Sequence, residues 1–160
     1  KAALATILAN QSPMPMCKPR CRYYSDFWIL ILNTNKEKHV KIPRIYHDEH
    51  GKSHFGEADI PLTDGGPIGL LSEKIPAGSI IFRETPADYN FKWHPAPARQ
   101  LLFILKGRAE FTVSSGERHV FGAGDVLLLE DTEGEGHCSR AMYNEVRHSI
   151  FVTLPDGFPY

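Results

Sequence analysis

The sequence predicts a single all-β domain of the sandwich or barrel class. Three observations carry this. From Lys41 onward, short apolar runs recur at the interval of roughly 8–12 residues expected of strands in such folds. Turn-forming clusters separate them, among them Thr63-Asp64-Gly65-Gly66-Pro67, Ser114-Ser115-Gly116 and Gly122-Ala123-Gly124. One run, residues 100–105, is apolar on both of its alternating faces, as a strand covered on both sides must be.

Taken in order, residues 43–46 form a candidate strand, and Asp48-Glu49-His50-Gly51 a turn. Residues 54–60 read as a second strand and residues 63–67 as a loop. A turn near Leu70 to Lys74 is the one helical candidate. Residues 79–84 (SIIFRE) are a strand bounded by Gly78 and Thr85-Pro86. Residues 100–105, 109–113, 118–121, 126–129 and 147–154 complete the set. By period-2 alternation Gln100, Leu102 and Ile104 share one face, and Leu101, Phe103 and Leu105 the other. The inner face fills the core. The outer face packs against a second sheet, the N-terminal segment or another subunit, and a homodimer is expected.

Length and charge narrow the functional classes. The chain has 160 residues and 42% hydrophobic content, enough for one domain with one core. Net charge is -1, from 18 basic and 19 acidic residues, which provides no drive toward nucleic acid or an anionic membrane. No apolar run approaches the ~20 residues that span a bilayer. The three cysteines, Cys17, Cys21 and Cys138, are odd in number and sparse, which favours a reducing compartment and a cytoplasmic location. Cys17 and Cys21 lack the neighbours of a structural zinc site.

Residues 1–38 read as an N-terminal extension and residues 39–160 as the domain. The extension opens with the apolar KAALATILA, then turns basic and proline-rich with no acid before Asp26. That character resembles a signal or transit segment, which would imply a secreted or organellar protein; a loosely packed tail is the plainer reading. Residues 27–32 (FWILIL) could add an edge strand or lie against the barrel.

The stretch from Trp93 to His137 carries the chemistry. His94-Pro95 precedes the apolar run that begins at Gln100 and stops at Lys106-Gly107. A hairpin, Gly124-Asp125, four aliphatics and an acidic Gly-rich loop lead on to His137. These residues resemble the cupins, small double-sheet jelly rolls, over roughly residues 79–154. The first cupin motif is His-x-His, three or four residues, Glu, six residues, Gly. Counted back from Gly107, Gln100 stands at the Glu, His94 at the first His and Ala96 at the second. The second motif opens with Gly-Asp, matched by Gly124-Asp125-Val126, and closes with Gly-x-x-His, matched by Gly134 and His137. Its usual Pro is absent, Glu130 or Thr132 holding the place according to the end counted from. Ala141 stands where Asn often follows, and the loop is two residues longer than the common form.

The resemblance implies a double-stranded β-helix (a jelly-roll, cupin barrel) with a peripheral N-terminal segment, and a pocket for a small organic molecule. It implies no one reaction. Its usual metal site of three His and one carboxylate would be reduced here to His94, Gln100 and His137. Such a set could still hold a divalent ion, Fe, Mn, Ni or Zn, but brings no negative charge to offset the ion's desolvation. No organic cofactor is expected. Alternation placing Glu130 on the face of Val126 and Leu128 makes it the expected inward carboxylate, either a ligand or an acid/base group, with Asp131 turned away. Trp93, Arg83 and Arg99 are expected to contact the substrate, the arginines by orienting an acid group; Lys92 is a third candidate for that role. Three functions follow: a metal-dependent oxygenase or isomerase, a non-catalytic ligand-binding or regulatory barrel, and a metal-free acid/base isomerase or epimerase.

Overall fold

The computed structural model describes residues 38–155. The expectations placed on residues 1–37, including the strand at 27–32, lie outside the described residues. Eleven strands follow in chain order: β1 (Lys38–His47), β2 (Ser53–Asp64), β3 (Leu70–Leu71), β4 (Ile80–Thr85), β5 (Asn90–His94), β6 (Gln100–Lys106), β7 (Arg108–Thr112), β8 (Arg118–Gly122), β9 (Val126–Glu130), β10 (His137–Ala141) and β11 (Arg147–Thr153). A single 3₁₀ turn (Gly66–Ile68) is the only helical element among the described residues. No helix there is long and apolar enough to cross a membrane.

Strands β4 to β11 pair as a folded ribbon. The outermost two, β4 and β11, pair antiparallel; so do β5 with β10, β6 with β9, and β7 with β8. Successive pairs alternate between two sheets, because β11 also pairs with β6 and β10 with β7. The sheet orders are β3-β2-β1-β9-β6-β11-β4 and β5-β10-β7-β8. A two-stranded ribbon wound in this way is a jelly roll, the double-stranded β-helix that the sequence predicts. Each half-turn of the ribbon needs a corner, and glycines with positive φ supply several, Gly107 (φ 74) between β6 and β7 among them.

The core lies between the sheets. Leu102, Ile104, Leu127 and Leu129 of the large sheet meet Ala109, Phe111 and Phe121 of the small one. A fully buried leucine contributes about 1.5–3 kcal/mol, and truncating Leu102 to Ala should cost about 2–5 kcal/mol. The face of β6 that carries Leu101 is covered from within the chain: Leu101 packs with Ala58, Leu128, Leu154, Ile42 and Ile75. That cover comes largely from the β1–β2 hairpin. It is bound to the barrel through a parallel pairing of β1 with β9, Arg44 opposite Leu128 and Tyr46 opposite Glu130. The opposite edge of the large sheet, β4, carries Ile80, Ile81 and Phe82 in the open.

Three strands escape the sequence pattern. Strand β5 is an edge strand with Phe91 and Trp93 both half exposed, so no apolar alternation marks it. Strand β10, HCSRA, is short, polar and bulged against β5. Strand β3 has two residues and lies in the stretch where a helical turn is expected.

Candidate functional site

The ends of β5, β6, β9 and β10 converge on one cavity. His94 closes β5 and pairs across to His137, which opens β10. Gln100 opens β6, opposite Leu129 of β9. Just beyond β9, the Asp131 carbonyl accepts a hydrogen bond from the Ala96 N–H at 3.0 Å, tying the His94-Pro95 corner to the acidic loop. The result is a cavity of about 180 Å³ between the sheets. Its apolar wall includes Leu102, Phe111, Leu129 and Phe151, and its polar groups include His94, Gln100, His137, Ser139, Arg83 and Arg147.

His94, Gln100, His137 and Arg83 are therefore brought together, and four other candidates are not, Lys92 staying exposed on β5. Trp93 lies beside His94 on an edge strand, so its ring points the other way and stays 49% exposed. Arg99 turns from the cavity to Glu130, whose Oε1 accepts from its Nε at 2.5 Å. Glu130 itself, expected to face inward, is on the far side of the sheet. Its Oε2 accepts from Arg44 Nη1 at 3.2 Å, so it ties β1 and the corner before β6 to the end of β9. The register explains this correction. Residues directly opposite on neighbouring strands share a face, and Leu102 and Gln100 of the inward face stand opposite Leu127 and Leu129. Leu127 and Leu129 therefore face the core, Glu130 faces out, and Asp131 faces back in.

Asp131 is the carboxylate that sequence reasoning assigned to the wrong face. It is fully buried, and its Oδ2 accepts from His137 Nδ1 at 2.6 Å. A carboxylate can only accept here, so the bond fixes the Nδ1–H tautomer and leaves Nε2 of His137 for the cavity. His94 is set in the same way, Nδ1 donating to the Lys92 carbonyl at 2.7 Å. The two rings stand 4.5 Å apart between centroids. Burial lowers the pKa of His94 below the ordinary imidazole value, which favours its neutral form.

The acidic loop that delivers His137 is clasped at two glycines. A side chain on Gly136 would overlap the His94 carbonyl, and one on Gly134 would overlap the backbone of Gly51 in the β1–β2 turn. Glu135 N–H donates to the Gly51 carbonyl at 2.9 Å, the Ser53 hydroxyl donates to the Gly136 carbonyl at 2.6 Å, and Lys52 pairs with Glu135.

Arg147 was missed altogether. It opens β11, where a lone Arg at a strand end reads as a surface residue, yet it is only 2% exposed. The signal was its alternation with Ser149 and Phe151, diluted by two polar residues on an inward face. Burial lowers its pKa, and the nearby Arg83 adds to this.

The metal set implied by the cupin resemblance can be tested on its donors. Two imidazoles and an amide line the cavity, while the one buried carboxylate beside them, Asp131, holds His137 from behind. No three His, Cys, Asp or Glu side chains among the described residues are grouped to hold an ion, and two arginines share the cavity. The donors do not fit the full three-His, one-carboxylate site.

The ribbon pairing and the convergence of both motifs on one cavity settle the architecture. The barrel is a cupin-type jelly roll. No family profile and no curated protein sequence matches the chain. Among solved structures it is similar to the cupin domain of Schizosaccharomyces pombe Cnp3, at 15% identity and TM-score 0.40 over 76% of this chain and 86% of that one. It is also similar to a putative ethanolamine utilization protein Q of Salmonella typhimurium, at 11% identity and TM-score 0.38 over 75% of this chain and 98% of that one. The strand pairing alone carries the fold, and neither likeness bears on function.

Proposed function

We propose that this cupin barrel binds a small organic molecule between its sheets and that His137, held by Asp131, moves a proton on it. The observation that carries this reading is the buried Asp131–His137 bond at 2.6 Å, behind a ring that lines the cavity. The carboxylate holds the tautomer whose Nε2 lone pair can take a proton from a bound C–H or O–H, and it stabilises the imidazolium that forms. His94, its neutral form favoured, stands beside it as a second group able to accept a proton or, once protonated, return one. The reaction class is proton transfer, such as isomerisation, epimerisation or dehydration. The chemistry is that of the metal-free alternative in the sequence reading, with Asp131 in place of Glu130. The test is a panel of small carbonyl compounds in D₂O, with C–H to C–D exchange followed by NMR. Exchange that is lost in His137→Ala supports the reading. Binding without exchange makes the barrel a ligand-binding module, and absence of any binding overturns the proposal.

One observation favours a second reading, a divalent ion held by His94, His137 and Gln100. Each imidazole has its Nδ1 committed to an outer acceptor, the arrangement that commonly orients metal-binding histidines. A bound ion would supply a Lewis acid. Metal content by inductively coupled plasma mass spectrometry, before and after incubation with Fe(II), Mn(II), Ni(II) and Zn(II), separates the two. Near-stoichiometric metal that disappears in the His94→Ala/His137→Ala variant would replace the metal-free reading.

A further inference from the structure

The cavity carries a charge that the described residues do not balance. Arg147 is 2% exposed, and its Nε and Nη1 have no hydrogen-bond partner among the described residues. Its Nη2 reaches only the Thr85 hydroxyl, at 3.5 Å. A second guanidinium, that of Arg83, stands at the rim. Both lie over the Tyr89 ring, at 5.0 Å for Arg83 and 5.6 Å for Arg147. No Asp or Glu among the described residues lines the cavity. The two like charges repel across the shared ring, and a buried guanidinium with idle donors is costly unless something pairs with it. Elsewhere the chain pairs its partly buried arginines, as Arg44 and Arg99 are paired with Glu130.

We infer that Arg147 and Arg83 are the carboxylate-binding end of the barrel, and that the pocket selects a small organic acid over its neutral analogues. This rests on the barrel being a small-molecule site and names the ligand class for it. A guanidinium offers parallel N–H donors that match the two oxygens of a carboxylate. The remaining wall, Leu102, Phe111, Leu129 and Phe151, suits a hydrocarbon body, which inorganic phosphate lacks. A cavity of about 180 Å³ limits that body to a few carbons or one ring. The arginines come from β4 and β11 of the large sheet, and the two histidines from β5 and β10 of the small one. An acid held by the first pair thus presents its neighbouring carbons to the second.

The experiment is calorimetric titration and thermal unfolding with benzoate, isobutyrate and a short hydroxy acid, their uncharged amides, and inorganic phosphate. The expected result is binding of at least one acid, with its amide weaker by roughly tenfold or more. Arg147→Met should abolish that preference and yet unfold at a higher temperature than the parent in ligand-free buffer, which a structural arginine would not allow. Arg83→Gln, a rim change that does not test folding, should weaken the acids by a larger factor than the amides. Acids and amides binding equally would overturn the charge selection while leaving a small-molecule pocket. Phosphate binding more tightly than every acid would also overturn it. If no compound binds, both this inference and the small-molecule reading fall.

Discussion

Two pairs of arginines stand on opposite faces of the same large sheet, and they are treated differently. Arg44 and Arg99 converge on Glu130, each within 3.2 Å of a carboxylate oxygen, and fasten β1 and the corner before β6 to β9. Arg83 and Arg147 share an aromatic ring and a cavity on whose wall no carboxylate of the described residues lies. The first set has its charge paired within the chain and reads as architecture. The second is incomplete and reads as recognition. A charge that the fold leaves unbalanced is a better guide to a site than a charge in an expected motif position, as Glu130 illustrates.

Glu130 carries the largest expected effect. Replacement by Ala leaves two guanidiniums without their shared partner, and a loss of about 3 kcal/mol is expected in urea unfolding. A loss below about 1 kcal/mol would mean that the pair is not structural. Next in size is Asp131→Asn, which removes a charge-assisted hydrogen bond worth roughly 2 kcal/mol. It also releases the His137 tautomer, visible as a change in its ring nitrogen shifts by NMR. Arg147→Met runs the other way, with a gain of about 1 kcal/mol in ligand-free protein. A loss of stability there would place Arg147 with Arg44 and Arg99. The smallest effect is at Asp48, in the β1–β2 turn, whose pKa is lowered to about 2 by hydrogen bonds from His54 and from backbone N–H groups of Lys52 and His50. A depressed carboxylate pKa means that its contribution is present above the ordinary value of 3.8 and is lost as pH falls toward about 2. Asp48→Asn should flatten the acid limb of a stability–pH curve in that window and leave neutral pH nearly untouched.

How much of this was legible depended on whether anything beyond alternation fixed a strand's phase. In β6 the motif position of Gln100 ties its face to the site, and the structure buries Gln100, Leu102 and Ile104 together. In β9 the run Val126 to Leu129 is apolar throughout, so nothing local fixes the phase. The phase is set by pairing with β6, which a single strand does not display, and the inward carboxylate moved by one residue. His94 and His137 were found because motif spacing survives sequence change. Arg147 was not, because burial of a charged residue leaves no trace in composition. Strands β5 and β10, which carry the two histidines, were hidden because one is exposed and the other polar.

The clasped loop before His137 has a consequence for the length of the chain. Residues 132–136 are pinned between the β1–β2 turn and the His94 corner, with no room for a side chain at Gly134 or Gly136. At Gly116, the tip of the β7–β8 hairpin, nothing lies within 4 Å of the position that a Cβ would take. Extra residues, an affinity tag or new chain ends should therefore be accepted at the hairpin, whereas one residue inserted between Asp131 and His137 would pull the imidazole out of the barrel. Length variation in descendants of this chain should gather at the first place and avoid the second.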